Sequence, residues 1–228
     1  MKLAVLFSGG KDSHLAMYKA SQDHDIVCAI TMRSENQYSY MFQSLGVEYT
    51  TLQLECQNVA QILIQTQGEK ERELEDLKKG IEQAVREYEI EGIVTGAIQS
   101  TYQAIRVQNI SYELNLWCFN PLWNMSSQQM FEELNNAGFE ITILGVFAYP
   151  LTQTLVMQPL LSPCVMRQLF RYEEQYQISA IGEGGEIETF VTNGPMYVNA
   201  TLHLSYQEII EESEHCAYVS GLVCKLIR

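Results

Sequence analysis

The stretch that most constrains this chain is an apolar run, Leu3-Ala4-Val5-Leu6-Phe7, that stops abruptly in a small charged turn, Ser8-Gly9-Gly10-Lys11-Asp12-Ser13. The run carries no charge after Lys2 and ends at two glycines, as a strand buried on both faces of a parallel sheet does. Leu15, Ala16, Tyr18 and Lys19 then suit a helix, with Asp12 or Ser13 near its start. A strand that passes through Gly-Gly into a helix leaves backbone N–H groups unpaired and aims the positive end of the helix dipole at the same place, which suits a phosphate. Gly9 and Gly10 allow an anion to approach the backbone closely. Ser8 and Ser13 offer hydroxyl donors, Lys11 a point charge, and Asp12 an oxygen for Mg²⁺, an ion that keeps most of its water.

The spacing is neither the Walker pattern, which has four residues between its glycines before Lys-Ser/Thr, nor the G-x-G-x-x-G dinucleotide fingerprint. Ser8-Gly9-Gly10-Lys11-Asp12-Ser13 at the end of a first strand instead resembles the PP-loop of the N-type ATP pyrophosphatases. The resemblance implies binding of ATP, cleavage between its α and β phosphates and adenylation of a substrate.

Further along, Ile26 to Met32 reads as a second buried strand, and Arg33 to Gln37 as the loop leaving its carboxyl end. A short aromatic segment (Tyr38 to Leu45), a helix around Thr51 to Ala60 and a strand near Ala60 to Thr66 follow. Glu69 to about Tyr88 is the clearest helix, with Leu74, Leu77, Ile81, Ala84, Val85 and Tyr88 in one stripe and the pairs Glu75/Lys79 and Glu82/Arg86 on its solvated face. Gly92 to Thr95 is a fourth strand that again ends at a glycine, Gly96, with Ser100 as cap of the next helix. A second anion-ready turn therefore lies at the same sheet edge. Tyr102 and Arg106 share a face of that helix, where Arg106 either forks onto a phosphate or carboxylate or pairs with a surface carboxylate such as Glu113.

A strand at Leu116 to Phe119, a helix from Ser126 or Ser127 to Ala137 and a strand at Ile141 to Val146 continue the rhythm. The expected class is α/β, a doubly wound, mainly parallel, Rossmann-like sheet, with an ATP-binding domain over residues 1–150 and a small α+β substrate subdomain over 151–228. In the latter, a helix from about Pro163 to Tyr176 precedes Gly182-Glu183-Gly184-Gly185-Glu186-Ile187-Glu188-Thr189. That glycine- and glutamate-rich segment is either a solvated loop or a site pinned between strands at Ile178 to Ile181 and Phe190-Val191. Met196 to Leu204 and Ala217 to Ile227 read as further strands.

Charge and cysteine usage narrow the function. A formal charge of −14 repels a phosphate backbone, so no extended nucleic-acid surface is expected. Six cysteines never fall into C-x-x-C and the four histidines are scattered, which points to reduced thiols in a cytoplasmic protein, with Cys28 and Cys118 as buried thiols. No apolar stretch reaches the length of a membrane span.

Four stretches in order narrow the superfamily: Ser8 to Ser13; Ser39-Tyr40-Met41-Phe42; Thr95-Gly96-Ala97-Ile98 with Ser100, Tyr102, Gln103 and Arg106; and Gly182 to Glu186 with Glu188-Thr189-Phe190. Together they resemble the diphthine–ammonia ligase family, as do Gly68-Glu69-Lys70-Glu71 and Pro121-Leu122-Trp123. The resemblance implies an AMP-forming ligase that takes ATP and Mg²⁺, with diphthine-bearing elongation factor 2 and ammonia as its substrates. It further implies ATP contacts from Ser8, Gly9, Gly10, Lys11, Asp12, Ser13, Gly96 and Ala97, and catalytic roles for Lys11, Asp12 and Arg106. We expect substrate contacts from Tyr40, Ser100, Tyr102, Gln103, Glu183, Gly184, Gly185, Glu186, Glu188 and Thr189, the glutamates because their negative charge suits the quaternary ammonium of diphthine. Two places depart from the family pattern: Ile187 stands where an aromatic is usual, and Thr154 to Gln158 replaces a Trp-Leu-Gly-Arg-like segment. Adenylation of another carboxylate, modification of a tRNA nucleoside, and ATP binding without turnover are the competing readings.

Overall fold

The computed structural model describes residues 1–34, 45–67, 72–198 and 200–227. The chain forms two compact units, Met1–Asn124 and Met125–Arg228.

The first unit is built on β1 (Lys2–Leu6), β2 (Asp25–Ser34), β3 (Ala60–Thr66), β4 (Gly92–Val94) and β5 (Trp117–Phe119), in the order β3-β2-β1-β4-β5. Every neighbouring pair is parallel. The helices are α1 (Lys11–Ser21), α2 (Thr50–Cys56), α3 (Arg72–Tyr88) and α4 (Thr101–Glu113). Right-handed crossovers fix their places. The chain steps from β1 to β3 in one direction and from β3 through β4 to β5 in the other, so α1 and α2 cover one face and α3 and α4 the opposite one. The packing agrees, since Leu77, Ile81 and Ala84 of α3 and Val107 and Ile110 of α4 share one core cluster with Ala4, Cys28, Ile30, Ile62 and Ile93. The expected doubly wound sheet is the one observed, and its direction reverses between β1 and β4. Ligands of open parallel sheets bind at such a reversal, beyond the strands' carboxyl ends.

Several local expectations need correcting. The helix expected over 51–60 stops at Cys56, because Asn58 takes a left-handed conformation (φ 53°) that turns the chain into β3. On α3 the Lys79 ammonium reaches Asp76 at 2.8 Å, three residues back, rather than Glu75. Glu113, a candidate partner of Arg106, is taken by Lys78 at 2.7 Å. The aromatic segment 38–44, including Tyr40, and the stretch 68–71 lie outside the described residues.

The second unit holds α5 (Ser127–Asn136), β6 (Glu140–Val146), α6 (Pro163–Tyr176), β7 (Ile187–Asn193), β8 (Thr201–Ser205), β9 (Glu208–Ser213), β10 (Cys216–Ser220) and β11 (Val223–Ile227). Its main sheet runs β7-β6-β10-β9, antiparallel throughout, and β11 pairs with β8. Here β6, which the alternating rhythm assigns to the parallel sheet, pairs instead with β7 and β10, and the contact boundary falls at Asn124/Met125 rather than near residue 150. Periodicity reports that a strand exists, and its pairing partner is settled by residues far away in sequence. The helix starts follow their caps: Ser126 and Gln129 form a reciprocal capping box on α5, and the Ser162 hydroxyl accepts from Val165 N–H ahead of Pro163 on α6. Residues 178–181, read as a strand, form a turn, with Gly182 N–H donating to Ser179 O at 3.0 Å. The long strand expected over 217–227 is two, β10 and β11, broken at Gly221 (φ 61°), and β9 has no counterpart in the sequence reading.

Candidate nucleotide site

Beyond β1, Phe7 N–H donates to Ile30 O at 2.9 Å, holding the chain against β2 for one more residue before it turns. Gly9 follows with φ 85°, a left-handed conformation that glycine adopts without the strain an L side chain incurs. Gly10 is the N-cap of α1, with extended backbone and no capping side chain, so the helix begins at Lys11, with Asp12 and Ser13 in its first turn as expected. The first turn of α1, with the positive end of its dipole, lies directly after the Gly-Gly turn, the arrangement from which the sequence leads one to expect an anion site.

The side chains of the turn divide their work. Ser13, expected to donate to a ligand, instead donates its hydroxyl to Gly10 O at 3.0 Å and is buried. Ser8 Oγ lies 3.5 Å from Ser13 Oγ and accepts weakly from Gly10 N–H at 3.4 Å. Lys11 is 2% exposed, its ammonium 3.0 Å from Asp12 Oδ2. The other carboxylate oxygen, Asp12 Oδ1, is buried with no hydrogen-bond partner among the described residues. A buried acceptor left bare costs roughly 1–3 kcal/mol, and more when it carries charge. A hard cation ligated by oxygen removes that cost, so the donor chemistry here fits Mg²⁺.

Behind the turn lies a polar layer that the sequence reading missed. His14 is 1% exposed; burial lowers its pKa to about 4 against a smaller opposing effect of its hydrogen bond to Gly10, so the imidazole is neutral at neutral pH. Gln53 of α2 and Gln57, the C-cap of that helix, are buried in the same layer. The only sequence signal for this layer is a set of polar residues at helix positions that face inward.

The second turn presses against the first. A Cβ on Gly96 would lie 2.9 Å from Asp12 C and 3.1 Å from Ser13 N, so the absence of a side chain lets the backbone leaving β4 touch the start of α1. Thr95 donates to Asn120 Oδ1 and accepts from Ala97 N–H at 3.2 Å, which shapes the turn. Ser100 caps α4 as expected, its hydroxyl accepting from Gln103 N–H at 3.3 Å. Tyr102 and Arg106 share one face, yet the guanidinium lies 3.5 Å over the Tyr102 ring and donates to Tyr102 O at 3.4 Å. This cation is therefore held on the helix by its aromatic neighbour.

In the second unit the glutamate-rich segment is an ordered turn and not a solvated loop. Glu186 accepts from Gly184 N–H at 2.8 Å and from Ser179 N–H at 3.3 Å, and Glu183 N–H donates to Ser179 Oγ at 3.2 Å. Phe147 N–H donates to Glu186 O at 2.9 Å, which fastens the turn to the end of β6. Gly184 and Gly185 are its exposed tip, while Glu188 and Thr189 lie on β7 opposite Gly145 and Ile143. Ile187, where the family resemblance leads to an aromatic, is 5% exposed and packs inward. The departing segment 154–158 also lies along β6, where Met157 N–H donates to Ile143 O at 2.7 Å.

A phosphate-ready turn after β1, seated where a parallel 3-2-1-4-5 sheet reverses direction, defines an α/β protein of the PP-loop ATP pyrophosphatase type. The diphthamide synthase N-terminal domain matches residues 1–117 and the diphthamide synthase C-terminal domain residues 126–218, and the chain belongs to the diphthamide synthase family. It is 30% identical to the Diphthine--ammonia ligase of Schizosaccharomyces pombe over 99% of its own length and 39% of that protein. The Diphthine--ammonia ligase of Homo sapiens is 29% identical, with 97% of this chain and 90% of that protein covered. A solved structure described as a predicted subunit of a tRNA methyltransferase from Methanocaldococcus jannaschii overlays with a TM-score of 0.43 at 15% identity, over 85% of this chain and 98% of that one.

Proposed function

We propose that this chain amidates the diphthine residue of elongation factor 2 with ammonia, using ATP and releasing AMP and pyrophosphate. The observation that carries the reading is the presence, in one chain and in the family's order, of the Ser8 to Ser13 turn at the sheet reversal and the Glu183 to Glu186 turn before β7. A carboxylate resists attack by ammonia until one of its oxygens becomes a good leaving group, and ATP supplies that group when bound.

The chain's own residues then position and neutralise, which is most of what phosphoryl transfer asks of a protein. The N–H groups at the start of α1 receive phosphate oxygens, with Ser8, Gly9 and Gly10 forming the approach and Lys11 the buried positive charge. Asp12 Oδ1 is the oxygen that would ligate Mg²⁺, which neutralises phosphate charge when present. Gly96 and Ala97 bring the second turn beside Asp12, and Arg106, held over Tyr102, is the cation that α4 contributes. Ser13, Ser100 and Thr189 act through the turn, helix cap and strand they build, and Gln103 extends from the first turn of α4. Glu183 and Glu188 supply negative charge for the quaternary ammonium of diphthine, and Glu186 with Gly184 and Gly185 holds the turn that carries Glu183. A substrate that belongs to the translation machinery places the reaction in the cytoplasm.

The test is incubation with ATP, Mg²⁺, ammonium and diphthine-bearing elongation factor 2, with AMP and amide both measured. Formation of both in equal amounts is expected, and Glu183→Gln should raise KM for the factor while leaving KM for ATP unchanged. AMP formation only with some other carboxylate overturns the substrate and keeps the chemistry. That second reading is favoured by one observation, the two departures at Ile187 and 154–158, both of which lie along β6.

A further inference from the structure

His14 is buried beside the proposed phosphate turn and has no part in the chemistry just described. Its Nδ1 lies 3.0 Å from Gly10 O, and since a carbonyl only accepts, Nδ1 carries the proton. Nε2 is then the bare nitrogen, and the Gln57 amide donates to it at 3.4 Å while also donating to Gln53 O at 2.9 Å. Gln53, fully buried on α2, donates its own amide to Gly9 O at 3.0 Å. Two successive carbonyls of the turn are therefore gripped by side chains of α1 and α2.

The consequence follows from peptide geometry. In a planar trans peptide the C=O and the following N–H point in opposite directions. Fixing Gly9 O on Gln53 turns the Gly10 N–H away from α2, and fixing Gly10 O on the His14 ring, which shares it with the Ser13 hydroxyl and the His14 N–H, turns the Lys11 N–H away from the imidazole. These are two amides at the start of α1, of which the Gly10 N–H makes only a long 3.4 Å contact with Ser8 Oγ. A second observation, independent of the hydrogen bonds, supports the grip from Gln53: a Cβ on Gly9 would lie 2.5 Å from Gln53 Oε1, so the amide occupies the space that a side chain at this position needs. The glycine and the glutamine fit one another.

We infer that His14 and Gln53 are positioning residues that aim the Gly10 and Lys11 amides at the polyphosphate of the nucleotide, with Gln57 fixing the His14 tautomer. The inference rests on the ATP reading given above, and the experiment separates the two. Dissociation constants for MgATP and for adenosine, which lacks phosphate, are measured by calorimetry on the whole chain. The proteins compared are the wild type, His14→Phe, His14→Gln and Gln53→Leu, with folding checked by circular dichroism. His14→Phe keeps a ring against Phe7, whose centroid is 4.7 Å away, and removes both hydrogen bonds. Each of His14→Phe and Gln53→Leu is expected to weaken MgATP roughly tenfold while adenosine stays within about twofold, and His14→Gln, which restores a donor, recovers part of the loss. Unchanged MgATP binding in both variants overturns the inference, as does equal weakening of adenosine, which is the mark of a merely structural role. If His14→Phe does not fold, Gln53→Leu decides the matter alone. A wild-type chain that binds no MgATP overturns the ATP reading and the inference together.

Discussion

At the scale of single residues, burial sets the chemistry of two groups that composition alone leaves ambiguous. His14 titrates near 4 in the folded chain against an ordinary 6.5, because its surroundings desolvate the charged form. As pH falls from 6.5 toward 4 the unfolded chain takes up a proton that the folded chain refuses, so stability falls with pH across that window by on the order of 3 kcal/mol and is unaffected above it. Urea denaturation of wild type and His14→Phe over this range checks the expectation: the variant should have the shallower acid-side slope. Cys28 is the other case. Burial in β2 pushes its thiol up to about 12, whereas Cys164 is exposed. Iodoacetamide at about pH 8 should modify Cys164 in the native chain and reach Cys28 only after denaturation, as peptide mass mapping would report. The phosphate turn was legible at this scale, since its glycines and charges act locally. Its supporting layer of His14, Gln53 and Gln57 was not, because a buried polar side chain is recognisable only from the distant carbonyl it serves.

At the scale of elements, helices with a clean apolar stripe or a cap were read almost to the residue. α6 spans Pro163–Tyr176 as expected, and Ser100 and Ser126 cap α4 and α5. The stripe of α3 is the strongest example, and it packs Leu77 and Ile81 into the core with no exposed surface. Leu77→Ala should therefore destabilise the chain by about 2–5 kcal/mol, read as a lower denaturation midpoint with an unchanged slope. The surface pairs on the same helix carry little by comparison. Lys78 with Glu113 and Lys79 with Asp76 sit at the surface, where solvent screens both pairs, and removing either should leave the denaturation midpoint almost unchanged. Turns and short strands were read less well. The 178–181 turn contains strand-forming residues, but Gly182 and the Glu186 carboxylate bend its backbone back on itself.

At the scale of the whole molecule, ligand linkage offers the broadest test. If the first unit holds MgATP at the Ser8 to Ser13 turn, free nucleotide at about a hundred times its Kd raises unfolding free energy by about 2.7 kcal/mol. Thermal denaturation should show that shift with Mg²⁺ present and a smaller one with EDTA, because the Asp12 carboxylate then faces the triphosphate without an intervening cation. No helix among the described residues is long and apolar enough to cross a membrane. By itself the sequence determined the strand-to-helix turn, the alternation of strands and helices around it and each of the short stretches that make up the family signature, because every one of these patterns is carried by residues within a few positions of one another. Only the tertiary structure decided that β6 leaves the parallel sheet for an antiparallel one, that Gly96 lets a second turn touch Asp12, and that Lys11, Ser13 and Glu186 are engaged within their own turns. The first two are set by partners far away in sequence and the last by the conformation each turn adopts, and both appear only once the chain has folded.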